Sequence, residues 1–115
     1  MKRGDIILIK YPFSDLSSTK VRPAIVVSSD ACTQKGQDAI FIAISSNISN
    51  AQATDLVFDQ TNPEFHHSGL KNSSLMRTEK IFCLSKGLAS RMLGSLGPSM
   101  THKLNQKLHE VLDLE

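Results

Sequence analysis

The chain has 115 residues, 40% of them hydrophobic and 21% charged, with a formal net charge of +2. That length suits one domain over residues 1–115 with a single core, and the balance is too apolar for a disordered chain. The longest uninterrupted apolar run, residues 39–44, falls far short of the roughly 20 that cross a bilayer, so no membrane span is predicted.

Alternating apolar and β-branched residues predict a first strand at 5–11. Lys2 and Arg3 precede it, but Asp5 and Lys10 cut its apolar run too short for a secretory signal, and no small-residue cleavage site follows. A cytoplasmic location is therefore expected. From Met1 to Arg22 five cations stand against two carboxylates, a net +3. Such basic ground is compatible with a polyanionic partner, although it is more often plain solvated surface.

A polar loop then leads to Lys20-Val21-Arg22-Pro23 and a predicted strand at 24–28. Pro23 biases Arg22 away from the helical region and holds it extended at the strand entry. Taken alone, an arginine there is usually a solvated end. After Cys32 a third strand is predicted at 39–45. Arg22, Ala24 and Val26 share one face of their strand, while Ile40, Ile42 and Ile44 form an apolar face opposite Phe41, Ala43 and Ser45. Ala24 and Ala43 are small, which leaves room for a groove beside Arg22 and Ser45.

A fourth strand is predicted at 55–59, and the polar connection 60–73, with Pro63, His66, His67 and Gly69, reads as a mobile loop. Short strands follow at 74–78, 81–85 and 92–96, with a helical turn at 86–91 between the last two. Gly97-Pro98 suits a helix cap and first position. Beyond it Met100, Leu104, Leu108, Val111 and Leu112 recur at helical spacing, so one amphipathic helix closes the chain, its apolar stripe serving core or dimer packing. The whole reads as mainly β: a small, strongly bent barrel carrying a helix. Cys32 and Cys83 lack metal-ligand spacing and are expected as free thiols.

In this order and spacing, RGDIILIKYPFSD, KVRPAIVVSSD, AIFIAISSN, SSLMRTEKIFCL and the final helix resemble the MazF/PemK family of toxins from bacterial toxin–antitoxin systems, nearly end to end. The most specific piece is the Arg-Pro pair with its apolar strand, followed by a strand ending in a hydroxyl residue. The resemblance implies an α+β fold, a small SH3-like β-barrel of the MazF/PemK/CcdB type with a C-terminal α-helix, assembled as a homodimer. It also implies an endoribonuclease that cuts single-stranded RNA by 2'-hydroxyl attack, with no metal and no cofactor. A cognate antitoxin with an acidic, disordered tail would restrain it by covering the RNA site.

Carried across, the family's catalytic arginine matches Arg22 and its catalytic threonine matches Ser45. Serine keeps the hydroxyl but loses the methyl that stiffens χ1, and a one-residue slip would hand the role to Ser46. Lys20, Ser46, Asn47 and Arg77 are the candidate RNA contacts, Arg77 being nearly as readily an exposed strand residue. Loops 16–20 and 47–53 would set base choice.

These residue types suit the reaction. Metal-free cleavage needs the 2'-oxygen held in line and the added phosphoryl charge stabilised. A guanidinium presents a planar fork to two phosphate oxygens and stays charged, so Arg22 is a better clamp than Lys20. A rival mechanism would use His66 and His67 as acid and base, whereas His102 and His109 lie too far apart on the terminal helix to share one phosphate unless another chain intervenes. No clustered His or carboxylate pattern points to a metal. The alternative function is a non-catalytic CcdB-like inhibitor or an RNA-binding module on the same barrel. The gyrase poisons of that type act through a C-terminal tryptophan, and this chain has none.

Overall fold

The computed structural model describes residues 1–11 and 20–114. In chain order the elements are β1 (Asp5–Lys10), β2 (Val21–Val26), α1 (Asp30–Lys35), β3 (Asp38–Ser45), β4 (Leu56–Phe58), β5 (Ser74–Ser85), β6 (Ala89–Ser95) and α2 (Pro98–Leu112). One sheet contains all the strands in the order β4-β5-β3-β2-β1-β6. Every pairing is antiparallel. Register shifts between β1 and β6 and within β5 bend it, since an unmatched residue increases local twist. The result is the expected mainly β fold, a curled half-barrel closed by a C-terminal helix.

Both sheet faces carry a core, because apolar residues alternate on both sides of the central strands. One face buries Ile6, Ile25, Ile42, Ile44, Phe58 and Met76 beneath Met100, Leu104 and Leu108 of α2. The other gathers Ile7, Ile9, Ala24, Val26, Phe41 and Leu84, with Phe82 packed against them. Met100, Leu104 and Leu108 of the predicted helix stripe are thus core, whereas Leu112 is 49% exposed. Ile40, expected to share the apolar face of Ile42 and Ile44, is 39% exposed instead. It lies near the start of β3, outside the cluster that packs under α2.

Several boundaries differ from the sequence reading for physical reasons. The strand predicted at 24–28 begins at Val21, so Arg22 and Pro23 lie inside β2 and pair with Ile9 and Leu8 of β1. The strands expected at 74–78 and 81–85 are one strand, β5. Ile42 pairs with Ile81 and the next residue, Ala43, pairs with Arg77, so residues 78–80 bulge out. Thr78 is buried there and donates to the Thr54 carbonyl at 2.6 Å. The helical turn expected over 86–91 covers Lys86–Leu88, after which β6 starts.

The short helix α1 was not anticipated. Ser29 caps it by accepting from the Cys32 N–H at 3.2 Å, and a buried hydroxyl pair, Ser28 with Thr33 at 2.6 Å, ties it down. Nor does the connection 60–73 hang free. Phe65 enters the core and meets Phe58 edge-on at 5.2 Å, while Ser68 is fully buried. Glu64 reaches α2, its two carboxylate oxygens accepting from the Ser99 and Met100 N–H groups, each at 2.9 Å. That replaces the cap which Gly97 lacks a side chain to supply. Both cysteines are free and exposed.

Candidate active site

The site grows from a gap in the sheet. Tyr11 N–H donates to the Lys20 carbonyl, and Val27 N–H donates to the Ile40 carbonyl. Even-numbered residues of β2 therefore bond toward β1, and odd-numbered ones toward β3. The ladder between β2 and β3 runs from Val26↔Phe41 to Ala24↔Ala43 and stops. The next β2 residue due to bond toward β3 is Pro23, which has no N–H to give. Its carbonyl instead takes the Tyr11 hydroxyl at 3.4 Å. Beyond Ala24 and Ala43 the two strands part, β2 staying with β1 and β3 with β5.

The opening holds a cleft of about 130 Å³ lined by Arg22, Pro23, Ile44, Ser46, Lys71 and Asn72, among others. Register then places the other predicted residues. Ile7, Ala24, Ala43 and Arg77 form one row across four strands. Residues two apart on a strand share a face, so Arg22, Ser45 and Arg77 all lie on the face of the two alanines. Ser46 turns to the other side of β3 and lines the cleft. The two hydroxyls thus flank the gap from opposite faces.

Their immediate partners define what each can do. The Ser45 hydroxyl oxygen accepts from the Asn47 N–H at 3.2 Å, which leaves its proton to be donated elsewhere. Asn47 accepts from Ser49 at 2.6 Å and so braces the turn after β3. Lys20 and Arg22 are exposed. Arg77 Nε bonds Asp55 at 3.1 Å, and the Asp55 side chain is only 3% exposed, so this arginine is anchored to the turn before β4. The base-selecting loop expected at 16–20 lies outside the described residues except for Lys20.

Tyr11 lies beside Arg22 as well, a placement that few features of the sequence announce. Burial pushes its hydroxyl up to about 12, against the opposing pull of the Arg22 guanidinium nearby. It therefore stays protonated at neutral pH and acts as a hydrogen-bond donor. Its ring meets Phe82 edge-on at 5.3 Å, and Phe82 stacks on Phe41 at 5.9 Å. The space expected above the small alanines is thus bounded by aromatic rings. The signal available in sequence was parity alone: Tyr11 follows Ile7 and Ile9 on the Arg22 face of the neighbouring strand.

His66 and His67 lie on an exposed turn with ring centroids 3.9 Å apart, and neither lines the cleft. His102 and His109 are exposed on α2. Among the described residues no three His, Cys, Asp or Glu side chains gather as a metal site needs.

A family model described as PemK-like, MazF-like toxin of type II toxin–antitoxin system matches residues 2–112. No curated protein matches the sequence significantly. The fold resembles a mycobacterial endoribonuclease solved with its cognate antitoxin, at TM-score 0.78 and 17% identity over 100% of this chain and 97% of that one. It also resembles the Mycobacterium tuberculosis toxin MazF-mt6, at 0.76 and 17% over 96% and 98%. MazF from Deinococcus radiodurans matches at 0.76 and 14% over 98% and 96%.

Proposed function

Because the chain belongs to the PemK-like, MazF-like toxins of type II toxin–antitoxin systems, we propose that it is a sequence-selective endoribonuclease that cuts single-stranded RNA without a metal ion. The observation that carries this reading is the interrupted β2–β3 ladder, with Arg22, Ser45 and Arg77 on one face around a pair of alanines. An enzyme of this kind works by positioning and electrostatics. The 2'-oxygen attacks phosphorus as its proton passes to water, the bond to the 5'-oxygen breaks, and that oxygen takes a proton from water and leaves as a hydroxyl. The products are a 2',3'-cyclic phosphate and a 5'-hydroxyl end.

In this scheme Arg22 forks onto two phosphoryl oxygens as their charge grows. Ser45 donates its free hydroxyl proton to the same phosphate. Tyr11, held protonated and bonded to the Pro23 carbonyl, packs beside Arg22 and braces the opening. Arg77, anchored by Asp55, adds fixed positive charge on that face, and Lys20, Ser46 and Asn47 contact the flanking RNA. The protein acts in the cytoplasm, as a homodimer. A cognate antitoxin with an acidic, disordered tail would inhibit it by ordering over the ground between Lys20 and Arg22.

The test is cleavage of a long single-stranded RNA in EDTA, followed by the same RNA carrying 2'-deoxyribose at the mapped cut site. Cutting in EDTA that ceases on the deoxy substrate is expected. Undiminished cutting of the deoxy substrate would rule out 2'-hydroxyl attack, and a requirement for divalent metal would rule out the metal-free scheme.

A further inference from the structure

A second cleft adjoins the first. It measures about 260 Å³ and shares Pro23, Leu70 and Lys71 with the cleft at Arg22. Leu8 and Leu93 give it apolar walls, and Arg91 closes its far side. Leu8 lies opposite both Pro23 of β2 and Arg91 of β6, so the cleft crosses three strands and continues the gap toward the sheet edge.

Its charge is one-sided. Among the described residues no aspartate or glutamate lines either cleft. Lys71 and Arg91 are both exposed, and neither has a carboxylate partner among the described residues. Lys71 is also held in place. Gly69, at φ +72, lets the loop backbone lie directly on β6, where an added Cβ would clash with the Leu93 carbonyl. Gly94 answers from the strand, since a Cβ there would clash with the His67 carbonyl. The Lys71 backbone carbonyl is further fixed by the Gln60 side-chain amide at 2.9 Å.

We infer that this second cleft is a nucleotide subsite, in which Lys71 and Arg91 hold an RNA phosphate next to the scissile one and the wall of Leu8, Leu70 and Leu93 takes its base. The inference rests on the endoribonuclease reading. Continuity of the two clefts and their shared cationic rim fit a single strand threading both, where a charged groove tracks the backbone and an apolar surface receives a base. Reaction at Arg22 would then gain binding energy from a part of the substrate that does not react.

The experiment uses the full chain, the double variant Lys71→Ala/Arg91→Ala and each single variant. Substrates are a long RNA, a short RNA barely spanning the mapped cut, and an uncleavable long RNA with 2'-deoxyribose there. Each single change should raise KM for the long RNA about tenfold, the loss of one charge-assisted contact. The saturated single-turnover rate should stay parental, and the short RNA should be cut equally by all. The salt dependence of uncleavable-RNA binding should weaken by about 0.7 in log–log slope for the double variant, one single-strand phosphate contact. Parental KM and parental binding in the double variant would overturn the subsite while leaving the endoribonuclease reading intact. A fall in saturated rate on the short RNA would place these residues in the chemistry instead. If the double variant lost binding of a poly-glutamate peptide but kept parental RNA binding, the cleft would be a docking site for acidic peptide. RNA neither cut nor bound by the parent would overturn both readings.

Discussion

Arg22 and Pro23 act together at the residue scale. The proline stops the β2–β3 ladder and the arginine stands at the opening, so charge and geometry are supplied by adjacent positions. Arg22→Lys keeps the charge but loses the planar fork. It should slow single-turnover cleavage at least about 10²- to 10³-fold, the usual cost of losing one donor to a developing oxyanion. Circular dichroism should be unchanged, and near-parental rates would show that Arg22 supplies only positive potential. Ser45→Ala should cost about tenfold to a hundredfold, since a neutral donor is weaker than a charged one. Ser46→Ala should leave the saturated rate near parental, because Ser46, although it shares the cleft with Arg22, lies on the other side of β3 from Ser45 and Arg77; the reverse order would exchange the two serines. The Arg-Pro pair was legible in sequence because proline acts on its immediate neighbour. Tyr11, Lys71 and Arg91 were not, since each reaches the neighbourhood of Arg22 only through strand register or through a loop crossing the sheet.

Among the elements, the strongly periodic ones were read well and those held by distant contacts were not. The spacing of Met100, Leu104 and Leu108 announces α2, whereas β5 was split at its bulge because Glu79 and Lys80 interrupt the alternation. The connection 60–73 looks polar and loose in one dimension, yet Phe65 and Glu64 find partners far along the chain, and Ser68 is buried with its hydroxyl tied back to the Phe65 carbonyl. Glu64 offers a test through pH. The Met100 and Ser99 N–H groups hold its carboxyl below the usual carboxylate range. Its folded value lies below its unfolded one, so the stability it contributes is present above the ordinary glutamate range and is lost as pH falls through the lowered folded value. Urea denaturation should find Glu64→Gln less stable than the parent at pH 7, with the difference shrinking under acid conditions. An equal gap at both pH values would remove the capping role.

For the whole molecule, the two sheet faces are covered unequally. α2 lies over one, and the other relies on Phe41, Phe82 and neighbouring side chains. Phe41, Phe58 and Phe65 are buried within a single chain, so these aromatic rings do not themselves demand a partner. Exposed apolar side chains remain at the sheet edges instead, with Val57 on β4 at 52% and Met92 on β6 at 56%. Unpaired edge strands bearing such residues are surfaces that natural proteins cover. Association as a homodimer is expected on that ground. Sedimentation equilibrium at micromolar concentration should give twice the mass of one chain, and a single-chain mass would dispose of the dimer.

Proline is seldom found in an interior strand, because a sheet is more stable when each residue there can donate. A residue with an N–H at position 23 would let β2 and β3 zip onward to Ile44, strengthening the fold while sealing the opening at Arg22. With the proposed site at Arg22, selection for stability and selection for toxicity would pull in opposite directions at one codon. A lineage that escapes its own toxin need not break the protein to do so; it can complete the sheet.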